Sequence, residues 1–427
     1  MKKLKLHKIS YFWVIILLSL NTFPLMPGNT IRPIFLLFLP LYYIKYVPLN
    51  FRSVIFLLLL ISFLFSSALF ISTKICDVDA LVDIIFKPLG LFISLTAAAV
   101  GYSMGFRASS SDFRQMMLAS RLILIAGVLQ IVSSFLNIGV MSEAVHFFTE
   151  LFSESTAGIS RVRLLTLEPS WAGIQIICLH LPVFVFYYMS LNQKFSIFRL
   201  SLPSTMLLGT ASGTTAILLF FAFIRKASTE ILTLRVWFFG GCIALLGLYI
   251  SQQEFFQYAI GRLSFLLTLN LYGDFSVGTR FVGFLAGVEV FSRYPVFGVG
   301  PYCISSALSQ TAFEMEIPEA LKNFFQSPGI TPKNFFVRVL SEYGLLGLLI
   351  LLIVTFGYFQ AIKCKASSVV HSYGEDFTLD KTVLSSLMFV QVMCLLFIDS
   401  PFSLEIFYGI ALTLGFYSRY KLVKHNN

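Results

Sequence analysis

Long apolar runs dominate the chain, and short polar segments separate them. A helix that crosses a bilayer needs about 20 mostly apolar residues. On this criterion the pattern predicts about twelve membrane spans, at residues 11–26, 31–47, 53–72, 84–104, 116–138, 167–190, 198–211, 213–225, 235–250, 335–360, 380–398 and 402–419. We therefore predict an all-α polytopic membrane protein in which residues 1–427 form a single integral membrane domain.

Two segments interrupt this pattern, at about residues 139–166 and 251–333. The second follows the ninth predicted span and contains no run long and apolar enough to cross a bilayer. Both segments fall on the same side of the membrane if the chain begins inside the cell. We expect the chemistry of the protein at this outer surface.

Composition and charge support this topology. The chain has 427 residues, of which 57% are apolar and 12% are charged, whereas soluble domains average about 25% charged residues. The net charge is +10. Most Lys and Arg residues flank the inner ends of the predicted spans, which favours cytoplasmic termini and contact with anionic membrane lipids.

Several kinds of chemistry have no signal in the sequence. The six cysteines are scattered without CxxC or His spacing, so we predict no metal site and no cofactor. Walker, Rossmann and HExxH motifs are also missing from the sequence, which argues against ATP-driven transport and metalloprotease activity. No internal repeat indicates an inverted-repeat transporter.

The first candidate motif is RVRLLTLEPSWAG, which runs from residue 161 to residue 173. Arg161 and Arg163 project to the same side of an extended segment, and paired guanidiniums suit a diphosphate. Glu168 then precedes Pro169 at the start of the sixth span. Glu168 is either an active-site carboxylate or a helix-start residue that favours the positive end of the dipole.

The second motif is GTRFVGFLAGVEVFSRYPVFGVG, from residue 278 to residue 300. Arg280 lies near the predicted helix start, and we interpret it as a further anion contact. Arg293 is a candidate substrate contact, although Glu289 lies four residues earlier and predicts an ordinary ion pair. The stretch from Pro295 to Pro301 is rich in turn residues and is either a substrate loop or a structural turn.

The third motif is KNFFVRVLSEYGLLG, from residue 333 to residue 347. Lys333 and Asn334 would lie at the outer mouth of the tenth span. Asn334, Arg338 and Glu342 recur every four residues and would share one helix face. We expect these four residues to contact substrate, with an intrahelical Arg338–Glu342 pair as the structural alternative.

Together these motifs resemble the O-antigen polymerase and ligase superfamily of bacterial inner membranes. The resemblance covers the organisation of most of the chain, and it is sharpest in LEPSWAG, in RYPVFGVG and in the stretch from Asn334 to Gly347. It implies about 12 transmembrane helices with a large periplasmic loop between helices 9 and 10. It further implies a metal-independent glycosyltransferase acting on undecaprenyl-diphosphate-linked oligosaccharide, and a partner protein that regulates chain length.

The resemblance also assigns roles to the candidate residues. Arg161, Arg163 and Arg280 would hold the diphosphate, and Glu168 would accept the proton of the attacking hydroxyl, with Glu342 as the second choice of base. Ala211–Gly213 replaces the S-R-G of many relatives, and Lys333 replaces the histidine common in ligases. These departures favour a polymerase over a ligase. A flippase or transporter for lipid-linked sugars is the alternative from another class.

Overall fold

A computed structural model describes residues 11–20, 34–48, 50–75, 81–136, 164, 169–191, 202–203, 206, 275–327, 330–370, 381–397 and 404–426. This described part of the chain is built of helices and contains no strand. The seventh, eighth and ninth predicted spans lie almost wholly outside it, as does the segment 139–163. The candidate residues Arg161, Arg163 and Glu168 therefore also lie outside the described residues.

The helices begin and end close to the apolar runs of the sequence. In chain order they are α1 (Tyr11–Ser19), α2 (Phe35–Tyr46), α3 (Phe51–Ile75), α4 (Leu81–Arg107), α5 (Ser110–Leu136), α6 (Pro169–Gln175), a π-helical turn (Ile176–His180), α7 (Leu181–Ser190), α8 (Phe275–Arg293), α9 (Ile304–Glu314), α10 (Glu319–Phe325), α11 (Phe335–Val370), α12 (Lys381–Cys394), a 3₁₀ turn (Leu395–Phe397) and α13 (Leu404–Asn426).

Three helical segments in the described residues are long and apolar enough to cross a membrane. They are Pro88–Arg107, Trp171–Ser190 and Phe335–Cys364, and shorter apolar helices occur at Phe35–Tyr46, Phe51–Ser66 and Val383–Cys394. The described part of the chain is thus all-helical and of transmembrane character. None of α8, α9 and α10 qualifies as a span, as the sequence predicts for this interval.

The core of the helical bundle forms where α13 lies against α4. A Cβ atom added at Gly101 or Gly105 of α4 would overlap the backbone of Tyr408 or Leu412 of α13. Small residues allow membrane helices to approach this closely, which increases van der Waals contact between their backbones. Near the C-terminal end of α4, the Arg419 guanidinium donates a 2.5 Å hydrogen bond to the carbonyl of Ala108.

Helix α11 packs against α3 in an antiparallel arrangement. Gly357 lies against the ring of Phe56, and Gly347 lies against the ring of Phe63. At the start of α3, Asn50 Nδ2 donates a 3.2 Å hydrogen bond to the carbonyl of Ala361. These contacts fix the position of α11, which carries the third motif at its N-terminal end.

Helix α8 runs in the same direction as the first turns of α11 and packs directly on them. A Cβ at Gly287 would overlap Val337, and one at Gly283 would lie 3.5 Å from the backbone nitrogen of Lys333. The Ser341 hydroxyl donates a 2.9 Å hydrogen bond to the carbonyl of Gly287. The second and third motifs, separate in sequence, are therefore in contact.

Candidate functional site

Helix α11 is interrupted at Gly344, in the middle of the third motif. Gly344 has φ 67° and ψ −174°, a backbone region that is essentially restricted to glycine. A break at this point removes the ordinary hydrogen-bond partners of the backbone groups around it. The sequence did not reveal this break, since we predicted a continuous span at 335–360.

The turn-rich part of the second motif supplies the missing hydrogen-bond partners. We call this arrangement the clasp, formed by the loop Tyr294–Gly300 and the α11 segment Ser341–Leu346. Four backbone hydrogen bonds join the two: Val299 N–H to Ser341 O (2.8 Å), Gly300 N–H to Glu342 O (2.9 Å), Leu345 N–H to Pro295 O (2.8 Å) and Leu346 N–H to Val296 O (3.1 Å).

Gly298 makes the close approach within the clasp possible. Its φ is 69°, in the left-handed region that favours glycine. A Cβ at this position would lie 2.5 Å from the carbonyl carbon of Glu342. The turn residues that we noted in the sequence therefore have a structural role, which is to fit the loop against the broken helix.

Arg338 and Glu342 form a buried ion pair beside the clasp. Arg338 Nε lies 2.7 Å from Glu342 Oε1, and the two side chains are 9% and 6% exposed. Arg338 Nη1 also lies 3.5 Å from the Thr331 hydroxyl. The intrahelical pair expected from the i,i+4 spacing is thus confirmed, and both residues have further polar or electrostatic contacts.

Asn334 begins α11 as its N-cap. Its Oδ1 accepts a 3.1 Å hydrogen bond from the Val337 N–H, and its carbonyl accepts one from the Arg338 N–H. An asparagine side chain at this position satisfies a helix-start donor. Asn334 is buried and Lys333 is half-buried, so of these two residues Lys333 presents more of its surface to solvent.

Arg280 and Arg293 lie on the same helix in different surroundings. Arg280 is half-buried and has a polar or electrostatic partner. Arg293 is exposed and forms the predicted pair with Glu289 at 3.1 Å. A second carboxylate, Glu314 of α9, lies 2.7 Å from Arg293. Because two carboxylates already bind its guanidinium, Arg293 could contact a substrate only by giving up one of these ion pairs.

The surroundings of Arg293 change the acidity of the paired groups. The hydrogen bond to Glu314, followed by the one to Glu289, raises the pKa of Arg293 above its ordinary value. The hydrogen bond from Arg293 is the main cause that lowers the pKa of Glu314 below 4.5. Arg293 and Glu314 are therefore both charged at neutral pH.

Before Pro169, the described part of the first motif is Leu164, which directly follows Arg163. Leu164 has φ 54°, the sole positive φ of a non-glycine residue in the described part of the chain. The side-chain amide of Gln130 on α5 donates to the Leu164 carbonyl (2.7 Å) and accepts from its N–H (3.1 Å). Gln130 is a positioning residue that sequence reasoning missed, because no local pattern links positions 34 residues apart.

Buried polar residues inside the bundle also escaped the sequence analysis. Gln175, His180, Gln391 and Glu405 are all buried. Gln391 Nε2 donates a 3.1 Å hydrogen bond to the Cys178 carbonyl within the π-helical turn. Polar and ionisable residues inside a membrane bundle are frequently functional. Because such residues are rare within apolar runs, their presence in these runs could have identified them from the sequence.

Cysteine chemistry adds a second feature that the sequence did not reveal. Cys303, between the clasp and α9, is disulfide-bonded, whereas Cys178, Cys364 and Cys394 are free thiols. Disulfides persist mainly in oxidising compartments. This bond agrees with an outer location for the segment that follows the clasp.

The chain matches no protein-family model and no curated protein. Among the described residues, no group of three or more His, Cys, Asp and Glu side chains is arranged to hold a metal ion. Near the N-terminal end of α11 the described part of the site contains Lys333, the capping Asn334 and the buried Arg338–Glu342 pair.

Proposed function

We propose that this chain is an O-antigen polymerase of the bacterial inner membrane, with about twelve spans and both termini in the cytoplasm. The enzyme transfers the growing glycan from undecaprenyl diphosphate onto the next lipid-linked repeat unit at the periplasmic face. A hydroxyl oxygen of the acceptor sugar bonds to the anomeric carbon of the donor. The bond between that carbon and the diphosphate oxygen breaks, and the carrier diphosphate leaves with the bonding electrons.

The strongest support for the proposal is the contact between two of the family-like motifs. Two of the three motifs that resemble the polymerase family, RYPVFGVG and the stretch from Asn334 to Gly347, meet through the four backbone hydrogen bonds of the clasp. A buried Arg–Glu pair lies beside them. Convergence of separate motifs at the outer end of a candidate span is expected of a site that handles a lipid-linked substrate.

The proposed roles follow from charge and position. Arg161, Arg163 and Arg280 bind the diphosphate and stabilise its charge as it leaves, in place of a metal ion. Glu168 accepts the proton of the acceptor hydroxyl. Lys333, Asn334, Arg338 and Glu342 contact the substrate near the mouth of α11, and Arg293 does so after exchanging a carboxylate partner. A separate regulator protein sets chain length.

The proposal is tested by replacing Arg161, Arg163 and Arg280 singly with Ala or Lys in cells that make O-antigen. We expect the Ala variants to leave single repeat units on the lipid A core while the protein still inserts. Lys should rescue poorly, because it cannot form the two parallel hydrogen bonds of a guanidinium. Normal polymer from all three Ala variants would refute the diphosphate role.

The same lipopolysaccharide bands separate the other functions. Deletion of a polymerase leaves a single repeat band, whereas deletion of a ligase leaves a bare core and polymer on the carrier lipid. A transporter is excluded if the purified protein elongates lipid-linked repeats in liposomes without nucleotide or metal. Failure of elongation under these conditions, with the protein folded, would count against the polymerase.

A further inference from the structure

The clasp loop presents apolar side chains outward on the same side as the exposed apolar side chains of α11. Val296 and Phe297 are 52% and 59% exposed, and Tyr294 beside them is also exposed. Because Leu345 and Leu346 bond to the carbonyls of Pro295 and Val296, the loop lies against these two leucines. Both leucines are exposed as well, Leu345 by 61%.

This patch is continuous with the outward apolar face of α11. Beyond the clasp the exposed side chains of α11 are again large and apolar, namely Leu349, Leu352, Ile353 and Phe356. A soluble surface rarely exposes a contiguous apolar patch of this kind unless it contacts a partner or a membrane. The exposed apolar surface of the candidate span therefore extends onto the loop.

The length of α11 fixes where the bilayer begins. The apolar segment Phe335–Cys364 has 30 residues, roughly 45 Å of helix at 1.5 Å per residue, which exceeds the hydrocarbon core of about 30 Å. From Leu345 to Ile362 the helix measures roughly 27 Å, and Lys363 follows. The outer boundary of the hydrocarbon thus falls near Leu345, at the level of the loop.

Charged residues lie on the aqueous side of this boundary. Arg293, exposed and paired with Glu289 and Glu314, directly precedes the exposed Tyr294 of the loop. Glu342 and Arg338 precede Leu345 by about 5 and 10 Å along the helix. An interfacial aromatic residue between charged and apolar groups is typical of the headgroup level.

We infer that the tip of the clasp loop, Tyr294–Phe297, inserts into the outer leaflet and contacts phospholipid acyl chains. This insertion holds the Arg338–Glu342 pair at headgroup level. Irregular backbone is possible at the membrane boundary, because the broken helix and the loop satisfy each other's polar groups. The inference does not rest on the proposed polymerase activity.

A photo-crosslinking experiment tests the insertion in native membranes. Phe297 is replaced by the photoreactive analogue benzoylphenylalanine, and the irradiated protein is analysed by mass spectrometry for covalent phospholipid. The matched control is Phe313 of α9, which is 63% exposed and has the Lys322 ammonium 5.4 Å from its ring centroid. Leu349 is the positive control on the lipid-facing helix.

We expect phospholipid adducts at positions 297 and 349, with at least several-fold less at position 313. Adducts at 349 alone, or equal yields at 297 and 313, would overturn the inference. A protein adduct at 297 in place of lipid would overturn it too, since the patch would then be a protein interface. If the 297 variant does not accumulate, Val296→benzoylphenylalanine gives the same readout, which is independent of polymerase activity.

Discussion

The clasp predicts that Gly344 tolerates no side chain. Replacing Gly344 with Ala places a residue with a Cβ at φ 67° and ψ −174°, where strain alone costs about 1–3 kcal/mol. The new Cβ would also overlap the Val296 carbonyl. The loop must then move away and give up some of its four hydrogen bonds, each of which contributes about 1 kcal/mol.

Together these effects predict that Gly344→Ala lowers the free energy of unfolding by roughly 3–5 kcal/mol. Gly283→Ala is the matched control. Gly283 lies within α8, and its added Cβ would meet its nearest neighbours at 3.5 Å, an ordinary contact. An alanine in a helix interior is favoured over glycine by about 1 kcal/mol, so this variant should be as stable as the wild type or slightly more stable.

Unfolding of the purified protein in mixed micelles, titrated with a denaturing detergent and followed by circular dichroism, measures both variants. A Gly344→Ala protein as stable as the wild type would refute the close packing of loop and helix. An equal loss of stability in the Gly283→Ala protein would indicate that any methyl group added near α11 is destabilising. The effect at Gly344 could then not be attributed to the break in the helix.

Three further predictions concern separate parts of the molecule. Gln130→Glu keeps the side-chain shape but loses the amide donor, so the free energy of unfolding should fall by about 1–3 kcal/mol. Polymer, read from lipopolysaccharide gels, should shorten while membrane blots show a normal protein level. Full-length polymer would contradict the positioning role. Because Cys303 is buried, the protein is denatured before labelling: a maleimide should then label Cys303 only after reduction, whereas the free Cys364 should react without reductant. Labelling of Cys303 without reductant would contradict the disulfide. Arg293 lowers the pKa of Glu314 below 4.5, so the stability that Glu314 contributes is present at neutral pH and is lost as the pH falls through the lowered pKa. Arg293→Gln should reduce this acid dependence of the unfolding midpoint. An unchanged pH profile would contradict the pairing.

Local physics explains which features the sequence could predict. Apolar length predicted helices at nine of the spans, including α11, whose predicted start at residue 335 is the observed one. Spacing of four residues predicted the Arg293–Glu289 and Arg338–Glu342 pairs, and both are confirmed. These features depend on neighbours within one helical turn, so the sequence contains all the information they need.

The remaining features depend on partners that are distant in sequence. The break at Gly344 is stable only because the loop Tyr294–Gly300 satisfies its backbone groups, and glycine within an apolar run does not by itself indicate a break. Glu314 is 21 residues from Arg293, and Gln130 is 34 residues from Leu164. The available signal was the pair of glycines, Gly298 and Gly344, one in each of two motifs that we had already singled out.

In the proposed polymerase reaction, the proton acceptor is either Glu168 or Glu342, and an experiment that chooses between them must separate loss of activity from loss of stability. Glu342 is buried in an ion pair with Arg338, so Glu342→Gln leaves a buried guanidinium uncompensated and should cost about 3–5 kcal/mol. Replacing both partners with Met removes that penalty, and the double variant should accumulate more than Glu342→Gln.

If Glu342 only holds Arg338 and contacts substrate, the stable double variant still makes some polymer, while Glu168→Gln inserts normally and makes none. Polymer is read from lipopolysaccharide gels and normalised to the protein in the membrane. A double variant that accumulates normally but makes no polymer, together with an active Glu168→Gln protein, would transfer the role of base to Glu342. The catalytic carboxylate would then lie beside the clasp, about 5 Å along α11 from Leu345.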